Sequence, residues 1–466
     1  MALRSRFAAI IIAAFLAQST PAISAGASAC EPKPLPSDAV PGTLSPTLLG
    51  AHLLFNQAND KMRARKDFLR SLAGIPIRNL RFPGGTIADN YLWRERKTGR
   101  DDWFPFNHKS SSDDLDFDEF MSVARCLGAQ PAIVLNLRYW LAKGKMEEGM
   151  AEAEDWVRYA NIEKKFAIRN WEFGNEVYGG KPQQQSPLTA EQYGAYYGEL
   201  RSRLKKIDPQ VELGMVLPNE PDFVAAGGST SWWNGAIGSA GSKIDFVVLH
   251  KYPVPRPRKL MNTGSGMGEM LAVANSRLRK LAGRDVPIHL TEWNIGSRSA
   301  GNPKVVRHDS IGHALFVADA LLDMADNGVL SANFWPLIGP RDQGLLDASD
   351  LSLNAAGQTM RLLGSLAGWR LDAGKTSEEG GLSLHVLANG GKRRALIAIN
   401  RSKADRVLDY RGLVGPCEAS AKILKPAGEA SGVSSLAQRV SAISTESVDA
   451  EAFSLSAFSV TVLACR

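Results

Sequence analysis

Short apolar runs recur from about residue 48 to 336, separated by polar or amphipathic stretches. Eight of them read as strands: LLGAHLL, IRNLRF, PAIVLNL, IRNWEFGNE, VELGMVL, IDFVVLHKY, PIHLTEWN and SANFWPL. The alternation is that of strands and helices. Eight βα units in about 300 residues suit a closed parallel barrel. Helical apolar spacing is plain in DWVRYANIEK before the fourth strand, QYGAYYGELRSRLKKI before the fifth and HALFVADALLDMADNG before the eighth. In the second of these, Tyr193, Tyr196 and Tyr197 share one face and are expected to point at a core. After a last helix in NAAGQTMRLLGSLAG the texture changes to short alternating runs, LSLHVLAN, RRALIAIN and FSLSAFSVTVLACR. The expected fold is α/β, a (β/α)8 TIM barrel over residues 45–368 with a C-terminal β-sandwich over 369–466, the two also joined through residues 30–44. The sandwich is expected to buttress the barrel.

Composition narrows the setting. The chain has 466 residues, 44% hydrophobic and 22% charged, ordinary for a folded protein. Its first 29 residues carry Arg4 and Arg6, an apolar run from Phe7 to Ala17, and then small residues. This reads as a secretory signal with cleavage between 24 and 29, so a secreted or periplasmic protein is expected. The apolar run is too short to cross a bilayer of roughly 30 Å, and no later run is long enough, so no membrane span is expected. A second reading cleaves after Ala29 and leaves Cys30 first, as in a weak lipid-attachment box. Losing Arg4 and Arg6 takes the net charge from +7 to +5. Without a dense Lys/Arg tract, a nucleic-acid partner is not expected.

Export makes disulfides plausible for the four cysteines, Cys30, Cys126, Cys417 and Cys465. Cys417 and Cys465 share the C-terminal segment, and joining them would stabilise it by roughly 4 kcal/mol on the chain-entropy model. Cys126, in the apolar SVARCLGAQ, reads as a small buried hydrophobe.

Chemistry collects where barrel strands end. The second strand ends in RFPGGT with Arg81, the fourth in GNE with Asn175 and Glu176, and the sixth in HKY with His250 and Tyr252. The seventh ends in TEWN with Glu292 and the eighth in FW with Trp335. Two carboxylates from different strands on one rim are what glycosidic cleavage needs, one to protonate the leaving oxygen and one to attack the sugar or activate water.

With Glu176 and Glu292 at strand ends four and seven, residues 45 to 368 resemble the clan A retaining glycoside hydrolases. RFPGGTIADNYLW, the GNE without a following proline and the EWN around Glu292 are similar to family 51 α-L-arabinofuranosidases. TEWN also looks like family 39 β-xylosidases, and a barrel with a terminal sandwich is shared by families 39, 51 and 79. Two features depart from family 51: GAHLLFNQ has no carboxylate, and Thr86 rather than asparagine follows Gly85.

The resemblance implies a glycoside hydrolase acting on a carbohydrate, with Glu176 as acid/base and Glu292 as nucleophile. Arg81 would keep Glu292 ionised, and the Glu292 charge would raise the pKa of Glu176. Asn175 would bind the sugar 2-hydroxyl, Tyr252 would donate to Glu292, and His250 would hold sugar hydroxyls. Trp335, and after it Trp93 and Trp293, would offer a flat face to a sugar ring. Gly84 and Gly85 would let the backbone approach the ligand. The best-fitting activity is that of an α-L-arabinofuranosidase. The alternatives are a β-xylosidase, a β-glucuronidase-like enzyme on an acidic polysaccharide, suggested by Lys251, Arg256, Arg258 and Lys259 in KYPVPRPRKL, or a polysaccharide-binding protein without activity. The seven histidines form no HExxH or comparable cluster, and no Walker or GxGxxG element follows a strand. Neither a metal nor a cofactor is expected.

Overall fold

Each of the eight apolar runs becomes a strand, and the eight close on themselves. The computed structural model describes residues 30–465, apart from 100–109, 179–187, 220–231, 297–303, 242, 341–342, 373–376, 392, 431 and 449–451. The segment expected to be a signal, residues 1–29, lies outside the described residues. The barrel strands are β1 (Gly50–His52), β2 (Asn79–Phe82), β3 (Gln130–Val134), β4 (Asn170–Glu172), β5 (Glu212–Val216), β6 (Phe246–Lys251), β7 (Ile288–Trp293) and β8 (Ser331–Phe334). Each pairs in parallel with its neighbours in sequence, and β8 returns to β1. Parallel strands need helical crossovers, which cover the outer face with apolar side chains. Tyr193 and Tyr197, on the helix Ala190–Ile207, are buried there and donate to the carbonyls of Phe173 and Leu213.

Strand β7 is irregular. Val248 and His250 of β6 face His289 and Glu292, and Ala332 and Phe334 of β8 face Leu290 and Trp293. Between these pairs one residue on each neighbour, Leu249 or Asn333, opposes two on β7, the mark of a β-bulge, which turns a side chain from one face to the other. Leu290 and Trp293 pack in the outer core, whereas Thr291 and Glu292 reach the barrel interior.

The C-terminal segment forms an antiparallel sheet in the order β9 (Arg370–Leu371), β11 (Leu382–Ala388), β12 (Arg394–Asn400), β17 (Ser459–Cys465), β14 (Ala419–Leu424) and β15 (Ser444–Val448), with β10 (Ser377–Glu379) also on β11. Its strands alternate between two cores. Ile397, Ile399, Val460 and Val462 join the barrel's core, whereas Leu396, Ala398, Ile423 and Leu463 meet Phe453 and Leu455 in a separate cluster. Those two phenylalanine and leucine side chains come from a ribbon of β13 (Arg406–Asp409) and β16 (Ala452–Leu455), which forms the second layer of the sandwich. Arg401 donates to Asp319 at 2.6 Å and to Ser383 at 2.8 Å, tying the sheet to the barrel helix Ile311–Asp326.

Both disulfides form between described cysteines. Cys417 is joined to Cys465, as expected. Cys126 corrects the expectation: it is bonded to Cys30 across a separation of 96 residues, so it is a crosslink rather than a small hydrophobe. The N-terminal strap brings the two together, with Lys33 N–H donating to the Arg125 carbonyl at 2.9 Å.

Candidate active site

A charge sits at the centre of the barrel's C-terminal end. Arg81 of β2 is fully buried, and each of its N–H groups has an acceptor. Nε and Nη2 grip Glu172 of β4 at 2.9 and 2.8 Å to Oε2, Nη1 reaches Glu292 at 2.8 Å and the Gly84 carbonyl at 3.4 Å, and Nη2 also reaches Asn175 Oδ1 at 3.1 Å. Burial alone would disfavour this cation, but Glu172 and Glu292 hold its pKa above the usual arginine range. A buried guanidinium is tolerated because its forked geometry is filled by carboxylates.

Glu292, brought inward by the bulge, accepts from Arg81 on Oε1 and from the Tyr252 hydroxyl on Oε2, both at 2.8 Å. Burial, and then the Glu292 charge, push the Tyr252 phenol well above its usual pKa, so it stays a donor. Glu176 stands opposite, in the left-handed region at φ 42°, with its side chain 44% exposed. Its Oε1 lies 3.0 Å from His250 Nδ1. One oxygen from each glutamate and one His250 nitrogen lie within 4.8 Å of one another. That spacing also suits a metal ion, but the buried Arg81 cation already stands 2.8 Å from Glu292 and would repel a second positive charge there.

Electrostatics correct one expectation. Partial desolvation raises the Glu176 carboxyl, as proximity to Glu292 was expected to do, but the His250 hydrogen bond and charge outweigh it and bring the pKa below the ordinary glutamate value. His250 moves the other way: burial lowers it, and Glu292 and Glu176 more than compensate. The two groups share a proton that sits by preference on the imidazole. His250 therefore bonds Glu176 directly, a role other than the sugar contact expected of it.

The glycines have a steric reason. A Cβ on Gly85 would stand 2.7 Å from Glu292 Oε1 and 3.2 Å from the Trp335 ring, and Gly84 has φ 147°, a region L side chains rarely adopt. Gly85 thus makes room for the carboxylate and the indole together. Trp335 is half-buried beside them, its ring edge-on to His52 at 4.6 Å. Trp93 and Trp293 are corrections. Trp93 stacks on Trp156 with ring centroids 5.6 Å apart, and Trp293 is buried against Phe334 at 5.1 Å, so both are packing groups. After β6, Arg256 caps, and Arg258 and Lys259 lie on, the short helix Pro257–Thr263, all three exposed, and Lys251 is half-buried.

Sequence reasoning missed Glu172, His52, Asp89 and Arg138. Glu172 carried a legible signal, an acidic residue inside the apolar run IRNWEF. Asp89 is buried near Arg138, 3.9 Å away, and burial pushes its carboxyl up to about 8.

Residues 136–269, which include Asn175, Glu176, His250 and Tyr252, match the model of the glycosyl hydrolase family 79 N-terminal domain. The chain is 28% identical over 181 residues to α-L-arabinofuranosidase C of Emericella nidulans, covering 34% of this chain and 33% of that protein. It is 24% identical over 274 residues to an intracellular exo-α-(1→5)-L-arabinofuranosidase of Halalkalibacterium halodurans, covering 51% and 50%. The chain therefore spans about a third to a half of the length of these curated relatives. In fold it matches the α-L-arabinofuranosidase of Thermotoga maritima in its arabinose complex, with a TM-score of 0.67 and 20% identity over 92% of this chain and 98% of that one. The family 51 α-L-arabinofuranosidase of Thermotoga petrophila gives 0.68 and 21% over the same shares. Site, fold and sequence together make this chain similar to the clan A glycoside hydrolases, and to families 51 and 79 among them.

Proposed function

We propose that the protein is a retaining, α-L-arabinofuranosidase-like glycoside hydrolase that cleaves O-glycosidic bonds of an oligo- or polysaccharide by double displacement. One observation carries the reading: oxygens of Glu176 and Glu292 approach within 4.8 Å. Retention places the two carboxyl groups roughly 5–5.5 Å apart, whereas inversion leaves roughly 6.5–9.5 Å for a water. In this mechanism Glu292, supplied with donors by Arg81 and Tyr252, attacks the anomeric carbon, and Glu176 protonates the leaving oxygen. Water then enters, Glu176 removes its proton, and the glycosyl–Glu292 bond breaks. Asn175 commits its carbonyl to Arg81, so its amide is left to donate to a sugar hydroxyl. Trp335 supplies an apolar wall.

The arabinofuranose assignment draws on the named relatives. A second reading, cleavage of an acidic glycan, is favoured by the exposed Arg256, Arg258 and Lys259. A binding protein without activity would have no use for two carboxylates held in this way. Aryl α-L-arabinofuranosides, β-D-xylosides and β-D-glucuronides should separate the readings, with the arabinofuranoside turned over fastest. NMR of the first-formed anomer should show retained configuration. An inverted product would overturn the mechanism, and glycan binding with no turnover of any substrate would overturn the enzyme.

We further propose export to an oxidising compartment, supported by the leader-like first 29 residues and by two disulfides. Intact mass of protein recovered from the periplasm or medium should show a mature start between residues 25 and 30 and no free thiol. Protein carrying residues 1–29 and reduced cysteines would refute it.

A further inference from the structure

The acid/base reading of Glu176 leaves its proton unexplained, because His250 competes for it. A chain of contacts behind His250 addresses this. Thr291 Oγ1 lies 3.3 Å from Glu172 Oε2 on one side and 3.3 Å from His250 Nε2 on the other. His250 Nδ1 in turn meets Glu176 Oε1 at 3.0 Å. Glu172, Thr291 and His250 are buried and Glu176 opens to solvent, so the chain runs from the barrel interior to the cleft.

Hydrogen bookkeeping gives this chain a direction. Glu172 is gripped by Arg81 through two nitrogens, so it is a carboxylate that can only accept. Thr291 has one hydroxyl hydrogen, and the neighbouring charge claims it. The threonine oxygen is then left to accept, and the group facing it, His250 Nε2, must carry a hydrogen. A neutral His250 fixed in this form has a bare Nδ1 aimed at Glu176.

We infer that Thr291 is a positioning residue for proton transfer: its hydroxyl, anchored by Glu172, keeps hydrogen on His250 Nε2 and leaves Nδ1 to exchange one proton with Glu176. The inference rests on the acid/base reading of Glu176. At rest both imidazole nitrogens carry hydrogen and Glu176 is a carboxylate. Moving the Nδ1 hydrogen to Glu176 Oε1 gives a neutral imidazole and a carboxylic acid, with no other atom displaced. That acid gives its proton to the leaving oxygen. In the second half-reaction Glu176 takes a proton from the attacking water, and the shared proton is restored.

Without the threonine hydroxyl, nothing opposes Glu176 and Glu292, whose carboxylates beside Nδ1 favour hydrogen on that nitrogen, and the form with hydrogen on Nδ1 alone cannot take up a proton from Glu176 there. The tautomer is a lever because the hydrogen bond at one ring nitrogen determines what the other can do. The other titratable and charged groups around the pair are Glu292, whose Oε2 is 3.7 Å from Nδ1, Arg81, His52, Arg138 and Asp89 beyond Glu176, and the phenols of Tyr178 and Tyr252, which burial keeps protonated. His52 is not a competing proton carrier: burial and Arg81 hold its pKa well below the usual value, and its Nε2–H donates to the Thr291 carbonyl at 2.6 Å.

The test uses Thr291→Val, which keeps the shape and removes the hydroxyl, and Thr291→Ser, which restores it. For glycosides with poor leaving groups, Thr291→Val should lower kcat/KM about ten- to a hundredfold, part of the 10²–10⁴ that an acid–base group supplies. Its alkaline limb should move to lower pH. Dinitrophenyl glycosides, which need little protonation, should lose only a few-fold, and Thr291→Ser should recover the parent profile. In ¹⁵N spectra of the parent protein, neutral His250 should carry its hydrogen on Nε2, and Thr291→Val should shift it toward Nδ1. A parent spectrum with the hydrogen on Nδ1, or an unchanged pH profile and leaving-group dependence in Thr291→Val, would overturn the inference. Failure of the acid/base reading looks different: Glu176→Ala would then slow dinitrophenyl and poor leaving-group substrates equally, whatever the His250 spectrum shows.

Discussion

Replacing Glu292 with alanine should abolish turnover, with a fall on the order of 10⁶, the scale seen when a covalent nucleophile is removed from an otherwise intact site. The loss should be chemical rather than structural. The alanine leaves Arg81 paired with Glu172 on its other edge, so the interior cation keeps a counter-charge. It also opens a space beside Gly85 and Trp335 where a small anion can sit next to Nη1 of Arg81 and the Tyr252 hydroxyl. Azide should use that space, attack the face the carboxylate used, and yield a glycosyl azide of inverted configuration. Glu176→Ala should behave differently, being rescued by azide from the opposite face with configuration retained. The measurement is activity on an activated aryl glycoside with and without azide, and NMR of the product. Recovery of a retained azide by Glu292→Ala would exchange the two roles.

Arg81→Met should be the most destabilising single change in the site, by about 3–5 kcal/mol, the range for breaking a buried ion pair from one side. Methionine fills much of the volume and supplies none of the five donors. Glu172 is fully buried and Glu292 nearly so, and both would lose their main counter-charge. Each must then take up a proton or remain an uncompensated buried ion. The defect should lessen at acidic pH, where protonation relieves it, and lessen again in Arg81→Met/Glu172→Gln. Denaturant titration at two pH values reads this directly. A stability within about 0.5 kcal/mol of the parent, the scale of an ordinary surface change, would mean that the arginine is not what holds these carboxylates inside.

How far the sequence could carry the reading differs from residue to residue. The eight strands were legible because a parallel strand buried on both faces is a continuous apolar run, and such runs stand out between amphipathic helices. Arg81, Asn175, Glu176, His250, Tyr252, Glu292 and Trp335 were legible for a related reason: each ends a run, and run ends share one rim. Contacts between rim residues were not. His250 meets Glu176 because the backbone at Glu176 takes a left-handed turn, and nothing in GNE announces it. Trp93 and Trp293 looked like Trp335 in sequence, since a tryptophan beside a strand end has the same letters whether it lines a cleft or packs behind it. The Cys30–Cys126 bond depends on where an N-terminal strap of no marked pattern crosses a helix. Glu172 could have been found, because a carboxylate inside an apolar run must have a partner, and the arginine ending the second run was available.

The bulge in β7 has a consequence for how this site can be altered. Along a regular strand, inside and outside are assigned by parity, odd residues one way and even the other. Between Leu290 and Trp293 that count is interrupted, so two adjacent residues, Thr291 and Glu292, both project inward. The inward placement of both residues is therefore stored in the number of residues as well as in their identity. Removing Leu290 alone would keep both side chains, restore the alternation, and turn Thr291 to face the helices.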